Sequence, residues 1–144
     1  MTSTNYHSQP VPSKKKVLIV DDMPQVRQDL RQLLELTGLI EIVAEAGDGL
    51  QAYRQAQVYS PDVVVLDLEM PAMDGFEATL RIKTHDPSIR VVILSAYGGL
   101  DEIARSQAAG ADSFVMKGDR YEVLVDAILG EDASPDANNA GKGE

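Results

Sequence analysis

Val63-Val64-Val65-Leu66-Asp67 decides the fold. Four branched or bulky apolar residues in a row, ending abruptly at a carboxylate, read as a strand buried on both faces of a parallel sheet. Three further stretches repeat the pattern. Val17-Leu18-Ile19-Val20 stops at Asp21-Asp22, Val91-Val92-Ile93-Leu94 at Ser95, and Ser113-Phe114-Val115-Met116 at Lys117. In open parallel sheets ligands bind beyond the carboxyl ends of the strands. Carboxylates, a hydroxyl and an ammonium are therefore expected on one rim.

Between these runs lie segments of helical character. The alternation predicts strands at Lys16–Val20, Ile40–Ala46, Val63–Asp67, Arg90–Ser95 and Ser113–Met116. Helices are expected at about Pro24–Thr37, Leu50–Tyr59, Gly75–Lys83, Leu100–Ala109 and Tyr121–Leu129, with a loop over Leu68–Asp74. Pro24 suits a first helical turn and Gly38 a C-terminal stop. Val26, Leu30, Leu33 and Leu34 form a stripe expected to be buried. Repeated β-then-α units predict an α/β fold, a parallel sheet with right-handed crossovers and helices on both faces. Asp62 is five residues before Asp67, so it is placed at the opposite rim as a turn residue. Asp74 is expected to cap the next helix and Gly75 to relieve the turn, while Asp22 is either a helix cap or part of an acidic pair.

One domain is expected at 14–130, between a disordered arm at 1–13 and a disordered acidic tail at 131–144. With 44% hydrophobic residues and no tryptophan, aliphatic packing must carry stability. The absence of cysteine excludes disulfides, thiolate metal sites and thiol nucleophiles. His7 and His85 lack zinc-ligand spacing. No stretch is long and apolar enough to span a membrane and no signal peptide is apparent, so a cytoplasmic protein is expected, without membrane contact. A net charge of −10, with Lys14-Lys15-Lys16 as the only basic cluster, argues against direct nucleic-acid binding and for cations or basic protein patches as partners.

Clustered carboxylates are costly. Three of them ~5 Å apart, at an effective dielectric of ~20, repel by about 10 kcal/mol in total, comparable with the stability of a small domain. Such a site must hold a cation, hold a proton or stay wet. Mg²⁺ is the natural occupant, because it accepts carboxylates, keeps waters and also binds phosphate oxygens. Asp67 can then act as a carboxylate nucleophile toward phosphorus, with Ser95 and Lys117 binding oxygens of the transferred group.

With Val20-Asp21-Asp22, Leu66-Asp67-Leu68-Glu69-Met70-Pro71-Ala72-Met73-Asp74-Gly75, Leu94-Ser95-Ala96 and Val115-Met116-Lys117 in this order on successive strand ends, the chain resembles the receiver domain of bacterial two-component response regulators. The resemblance covers about Lys16 to Gly130. It implies a flavodoxin-like, CheY-like doubly wound sheet of five strands in the order 2-1-3-4-5. It also implies that Asp67 is the phosphoacceptor, Asp22 a direct Mg²⁺ ligand, Asp21 a second acidic residue acting through water, and Glu69 a ligand through its backbone carbonyl. Ser95 and Lys117 would bind the phosphoryl group, a small Ala96 would leave it accessible, and Phe114 would be the aromatic switch. Glu69 and Tyr97 stand where phosphoryl lifetime is tuned. The implied donors are a histidine kinase or histidine phosphotransferase. The implied output is a signalling switch, not an enzyme beyond its own phosphoryl transfer and dephosphorylation. It would work through the face of the fourth helix, fifth strand and fifth helix on a downstream protein effector, with a phosphorylation-dependent homodimer as a further partner.

Gly118 departs from the family, which often has proline after the lysine. The Lys117-Gly118 ending resembles receivers that carry a C-terminal helix-turn-helix domain, so the receiver portion of a longer DNA-binding regulator is the alternative. An aspartate-nucleophile phosphohydrolase is remote, because its Asp-x-Asp pattern does not fit Asp21-Asp22-Met23. A flavin or nucleotide binder is remote too, because two carboxylates repel a phosphate at that turn.

Overall fold

The computed structural model describes residues 13–131. The arm and tail expected at 1–13 and 131–144 lie, but for Ser13 and Glu131, outside the described residues. In chain order the elements are β1 (Lys15–Val20), α1 (Pro24–Glu35), β2 (Ile40–Ala46), α2 (Gly49–Tyr59), β3 (Val63–Leu66), α3 (Gly75–His85), β4 (Arg90–Ser95), α4 (Leu100–Ala109), β5 (Ser113–Met116) and α5 (Tyr121–Leu129).

The strands form one parallel sheet in the order β2-β1-β3-β4-β5. Successive residues of β1, β3 and β4 face opposite layers. Leu18, Val20, Val64, Leu66, Val91 and Ile93 pack with Ala52 and Ala56 of α2 and Ala78 and Ile82 of α3. Val17, Ile19, Val63, Val65, Val92 and Val115 pack with Leu34 of α1 and Leu124, Ala127 and Ile128 of α5. All four residues of β3 are buried, as expected of a central strand covered on both sides. Burying each such side chain contributes roughly 1.5–3 kcal/mol.

Two features differ from the expected pattern. Leu33 is 43% exposed, whereas Leu34 is buried and Val26 and Leu30 are half-buried. At 100° per residue Leu33 stands at the margin of the stripe, where it lines an apolar groove of about 310 Å³ between α1 and α5. The helix also closes earlier than Thr37. Thr37 N–H bonds Leu34 and Gly38 N–H bonds Glu35, a tightened last turn, and Gly38 takes the left-handed conformation with φ +74°.

Asp62 lies at the rim where β3 begins. Its Oδ2 accepts the Lys16 N–H at 2.9 Å, a turn role remote from Asp67. Asp74 caps α3 as expected, accepting the Glu77 N–H at 2.9 Å. Gly75 serves close approach, not turn strain: a Cβ there would lie 2.6 Å from both the Asp67 carbonyl oxygen and Leu68 Cα.

Candidate functional site

The strand register builds the site. Val20 of β1 pairs with Leu66 of β3, so the next residues, Asp21 and Asp67, leave the sheet side by side. Asp67 N–H still donates to the Val20 carbonyl at 3.0 Å, and Asp21 N–H to Ala46 at 3.1 Å. On the other flank Leu66 pairs with Ile93 and Ser95 with Met116, which brings Ser95 and Lys117 to the same rim. Lys117 N–H donates to the Ser95 carbonyl at 2.8 Å, tying the ends of β4 and β5 together.

Carboxylate oxygens of Asp21, Asp22 and Asp67 lie within 4.8 Å of one another. Asp21 and Asp67 are only 2% and 7% exposed, and Asp22 faces solvent. Lys117 Nζ bridges the two buried acids, donating to Asp21 Oδ2 at 3.0 Å and Asp67 Oδ2 at 3.3 Å. The other Asp67 oxygen accepts the Glu69 N–H at 3.2 Å, and Asp21 Oδ1 accepts the Met23 N–H at 2.9 Å. Asp22 does not cap α1. The N-cap is Met23, without a side-chain cap bond, so the capping role left open for Asp22 falls away.

Burial pushes the Asp67 carboxyl above its ordinary value. The Glu69 N–H and the Lys117 charge oppose that shift, and the neighbouring Asp21 adds to it. Lys117 shows the opposite balance. Burial favours its neutral form, but the hydrogen bond to Asp21 and the charges of Asp67 and Asp21 outweigh burial and raise its pKa. The site holds its ammonium firmly charged and one of its carboxyls reluctantly so.

Ser95 is buried at the end of β4, and its Oγ accepts the Tyr97 N–H at 3.2 Å. Ala96 is exposed and Tyr97 is 63% exposed. Glu69, Ser95 and Tyr97 line an open cleft of about 450 Å³ with Phe76 and Arg105, whose guanidinium stacks 3.9 Å above the Phe76 ring. Phe114 is half-buried against the α2–α3 side of the sheet, packed on core residues there. The loop after β5 is held by Asp119, which accepts the Met116 N–H through Oδ2 at 3.1 Å and returns its own N–H to the Met116 carbonyl at 3.0 Å. No cis peptide occurs among the described residues, so the Lys117-Gly118 bond is trans.

One contributor escaped the sequence reading. Arg27 Nη1 donates to the Asp21 backbone carbonyl at 2.5 Å, and its Nε to Glu45 Oε1 at 3.0 Å. An arginine inside an amphipathic helix carries no signal that it reaches a strand end.

An all-oxygen set of three carboxylates fits a hard divalent cation of the Mg²⁺ kind. The response regulator receiver domain matches residues 17–129. The chain belongs to the response regulator receiver family. Such receivers are signalling switches that typically use Mg²⁺ at an acidic site. Relatives include the response regulator protein VraR of Staphylococcus aureus, 37% identical over 113 residues, which cover 78% of this chain and 54% of VraR. The receiver thus spans about half the length of the curated relatives it matches. Among solved structures, the signal receiver domain of the response regulator NarL from Mycobacterium tuberculosis superposes with a TM-score of 0.78 at 29% identity, covering 92% of this chain and all of that one. A LuxR-family DNA-binding response regulator from S. aureus gives a TM-score of 0.76 at 32% identity, covering 81% of this chain and 98% of that one. No helix among the described residues is long and apolar enough to cross a membrane.

Proposed function

We propose that this receiver accepts a phosphoryl group on Asp67 from a histidine kinase or histidine phosphotransferase. The observation that carries the reading is the placement of Asp67 itself. It is a nearly buried carboxylate at a strand end, with two further carboxylates within 4.8 Å and an ammonium at 3.3 Å. A carboxylate oxygen of Asp67 attacks phosphorus, the N–P bond of the phosphohistidine breaks, and the imidazole nitrogen leaves with the electron pair and takes up a proton. Asp21, Asp22 and Asp67, with the Glu69 backbone carbonyl, would hold Mg²⁺, which supplies charge neutralisation between the incoming phosphate and the acids. Lys117 and the Ser95 hydroxyl receive oxygens of the bound group, and Ala96 leaves room for it. Phosphorylation replaces one negative charge by about −1.5 to −2 at pH 7, so Lys117 and Ser95 are drawn toward Asp67. Phe114 turns inward as Ser95 moves, and the face of α4, β5 and α5 then contacts a downstream protein or a second copy. Glu69 and Tyr97, on the open side of the cleft, set the phosphoryl lifetime. Work in the cytoplasm follows from this role.

Intact-mass analysis after incubation with acetyl phosphate and Mg²⁺ tests the reading. A single phosphoryl adduct is expected on the wild type and none on Asp67→Asn. An adduct that persists in the variant, or never forms on the wild type, rejects Asp67 as acceptor.

A second reading is the receiver portion of a longer DNA-binding regulator, favoured by the half-length match to curated relatives. The size of the native protein in its own cells, read with an antibody to this domain, separates the two.

A further inference from the structure

We propose that Arg27, clamped by Glu45, is a positioning residue that fixes the Asp21-Asp22 turn for divalent-cation binding. The inference rests on the reading of that turn as the cation-binding part of the phosphoacceptor site.

It starts from an irregularity in the sheet. Val17 of β1 pairs with Ile42 of β2, but the next residue, Leu18, pairs with Ala44, so Val43 is an extra residue in β2. A bulge of this kind reverses which face the following side chains take. Ile40 and Ile42, before it, lie in the layer with Leu34 and Ile128. Ala44 and Ala46, after it, lie in the opposite layer with Ala52 and Ala56. Glu45 is thereby turned to the α1 side. There it accepts Arg27 Nε at 3.0 Å and Arg31 Nε at 2.8 Å. The Ile42 N–H beside the bulge is taken by Glu35 Oε2 at 3.2 Å.

The grip on Glu45 aims Arg27. Its side chain is largely buried, and its free Nη1 lands on the Asp21 carbonyl at 2.5 Å. Both ends of Asp21 are then tied to β2: its N–H directly through Ala46, its C=O through Arg27 and Glu45. The carboxylate is committed too, Oδ1 to the Met23 N–H and Oδ2 to Lys117. The peptide joining Asp21 to Asp22 therefore has one orientation, and Asp22, which has no side-chain anchor of its own at the helix start, inherits its direction from that peptide. Burial favours the neutral form of Glu45, yet the hydrogen bonds and charges of Arg31 and Arg27 hold its pKa below the ordinary value, so the clamp is ionic at neutral pH. Arginine is needed because a fork can bind a carboxylate and a carbonyl at once; a lysine ammonium is one point on a flexible stem.

The test is Mn²⁺ affinity of the full chain, read from the free-ion electron paramagnetic resonance signal, for wild type, Arg27→Ala, Arg27→Lys and Glu45→Ala, with melting by circular dichroism alongside. Partners that orient metal ligands typically matter ~10-fold or more in affinity. Arg27→Ala and Glu45→Ala are each expected to raise Kd by about tenfold, and a variant carrying both, measured alongside them, no further, because the pair acts as one clamp. If Arg27→Ala fails to fold, Arg27→Lys decides: a weakened Kd supports the clamp and a wild-type Kd overturns it. A lower melting temperature with unchanged Kd in the Arg27 variants overturns the inference, leaving a structural tie only. Unchanged Kd in Glu45→Ala overturns the share given to Glu45. A wild type that binds Mn²⁺ yet takes no phosphoryl group from acetyl phosphate defeats the phosphoacceptor reading and leaves the clamp standing; a wild type that binds no Mn²⁺ defeats both.

Discussion

Replacing Asp67 by asparagine should stabilise the fold in metal-free buffer at neutral pH, and the size of the gain follows from the site. Removing the charge relieves repulsion from Asp21, whose oxygen lies no more than 4.8 Å away; at an effective dielectric of ~20 that is at least about 3.5 kcal/mol. Exposed Asp22 is screened by water and adds about 1 kcal/mol at most. Against this stands the loss of Lys117, at 3.3 Å, worth about 5 kcal/mol on the same scale before screening of its partly exposed head. The Coulomb terms nearly cancel. What remains is the desolvation of a carboxylate that is 7% exposed, partly offset by the Glu69 N–H, which asparagine can still satisfy through its carbonyl. A net gain of about 1 kcal/mol is expected, a rise of roughly 3–5 °C in melting temperature for a domain of this size.

The pH dependence separates this account from a packing effect. Burial raises the Asp67 pKa in the folded chain, so the native state holds that proton more tightly than the unfolded state. The contribution of Asp67 is fully present below the ordinary aspartate value and lost as pH rises through the raised one. Asparagine pays no such penalty, so its advantage over wild type should open across the same window, absent in acid and full at neutral pH. Urea denaturation of both proteins across that range, with a chelator present, measures it. A variant less stable than wild type at neutral pH, or an advantage that does not change with pH, would refute the reasoning by showing that Lys117 outweighs burial or that charge is not involved.

Lys117→Met should destabilise by about 2–4 kcal/mol, because it leaves two nearly buried carboxylates without their shared cation; excess Mg²⁺ should recover part of the loss in the same melts. The raised Lys117 pKa adds a sign of its own: its contribution is complete below the ordinary lysine value and disappears as alkaline pH passes the raised one, so the wild-type advantage over Lys117→Met should shrink there. Gly75→Ala should cost about 1–3 kcal/mol in urea, since its Cβ meets backbone atoms of Asp67 and Leu68 at 2.6 Å, and it should slow acetyl phosphate labelling as well as lower stability. Asp74→Ala removes the α3 cap and should cost about 1 kcal/mol without altering labelling.

The fold and the rim of the site were legible because four of the five strands end at a polar residue. A strand buried on both faces is apolar throughout, so the first aspartate, serine or lysine after an apolar run marks where the run ends, and parallel strands bring all such ends to one rim. Leu33 misled because a helical stripe has margins, and sequence does not say how wide the covering groove is. Gly75 was assigned to the right loop for the wrong cause, since the crowding comes from the backbone of the preceding strand end. Glu45 and Arg27 were illegible for a deeper reason. The bulge at Val43 shifts face parity by one residue, and the alternating stretch Ile40-Glu41-Ile42-Val43-Ala44-Glu45-Ala46 gives no hint of where the shift falls.

The site carries its charges at a cost that shapes how it can respond. Asp21 follows β1, Asp67 follows β3 and Lys117 follows β5, so one ammonium links the ends of three strands through two ion pairs of 3.0 and 3.3 Å. Any cation that takes oxygens of Asp21 and Asp67 competes with Lys117 for them, and any added anion at Asp67 gives that ammonium a stronger partner. The Lys117 backbone is bonded to the Ser95 carbonyl, and the loop beyond it is pinned through Asp119 to Met116, so a shift of the lysine must be shared by the ends of β4 and β5. The central strands β3 and β4 cannot follow, because their side chains are packed on both faces with almost no exposed surface, whereas β5 at the sheet edge is half-buried. A change of charge at Asp67 should therefore be relieved at the loops that follow β4 and β5 more than by deformation of β3 and β4.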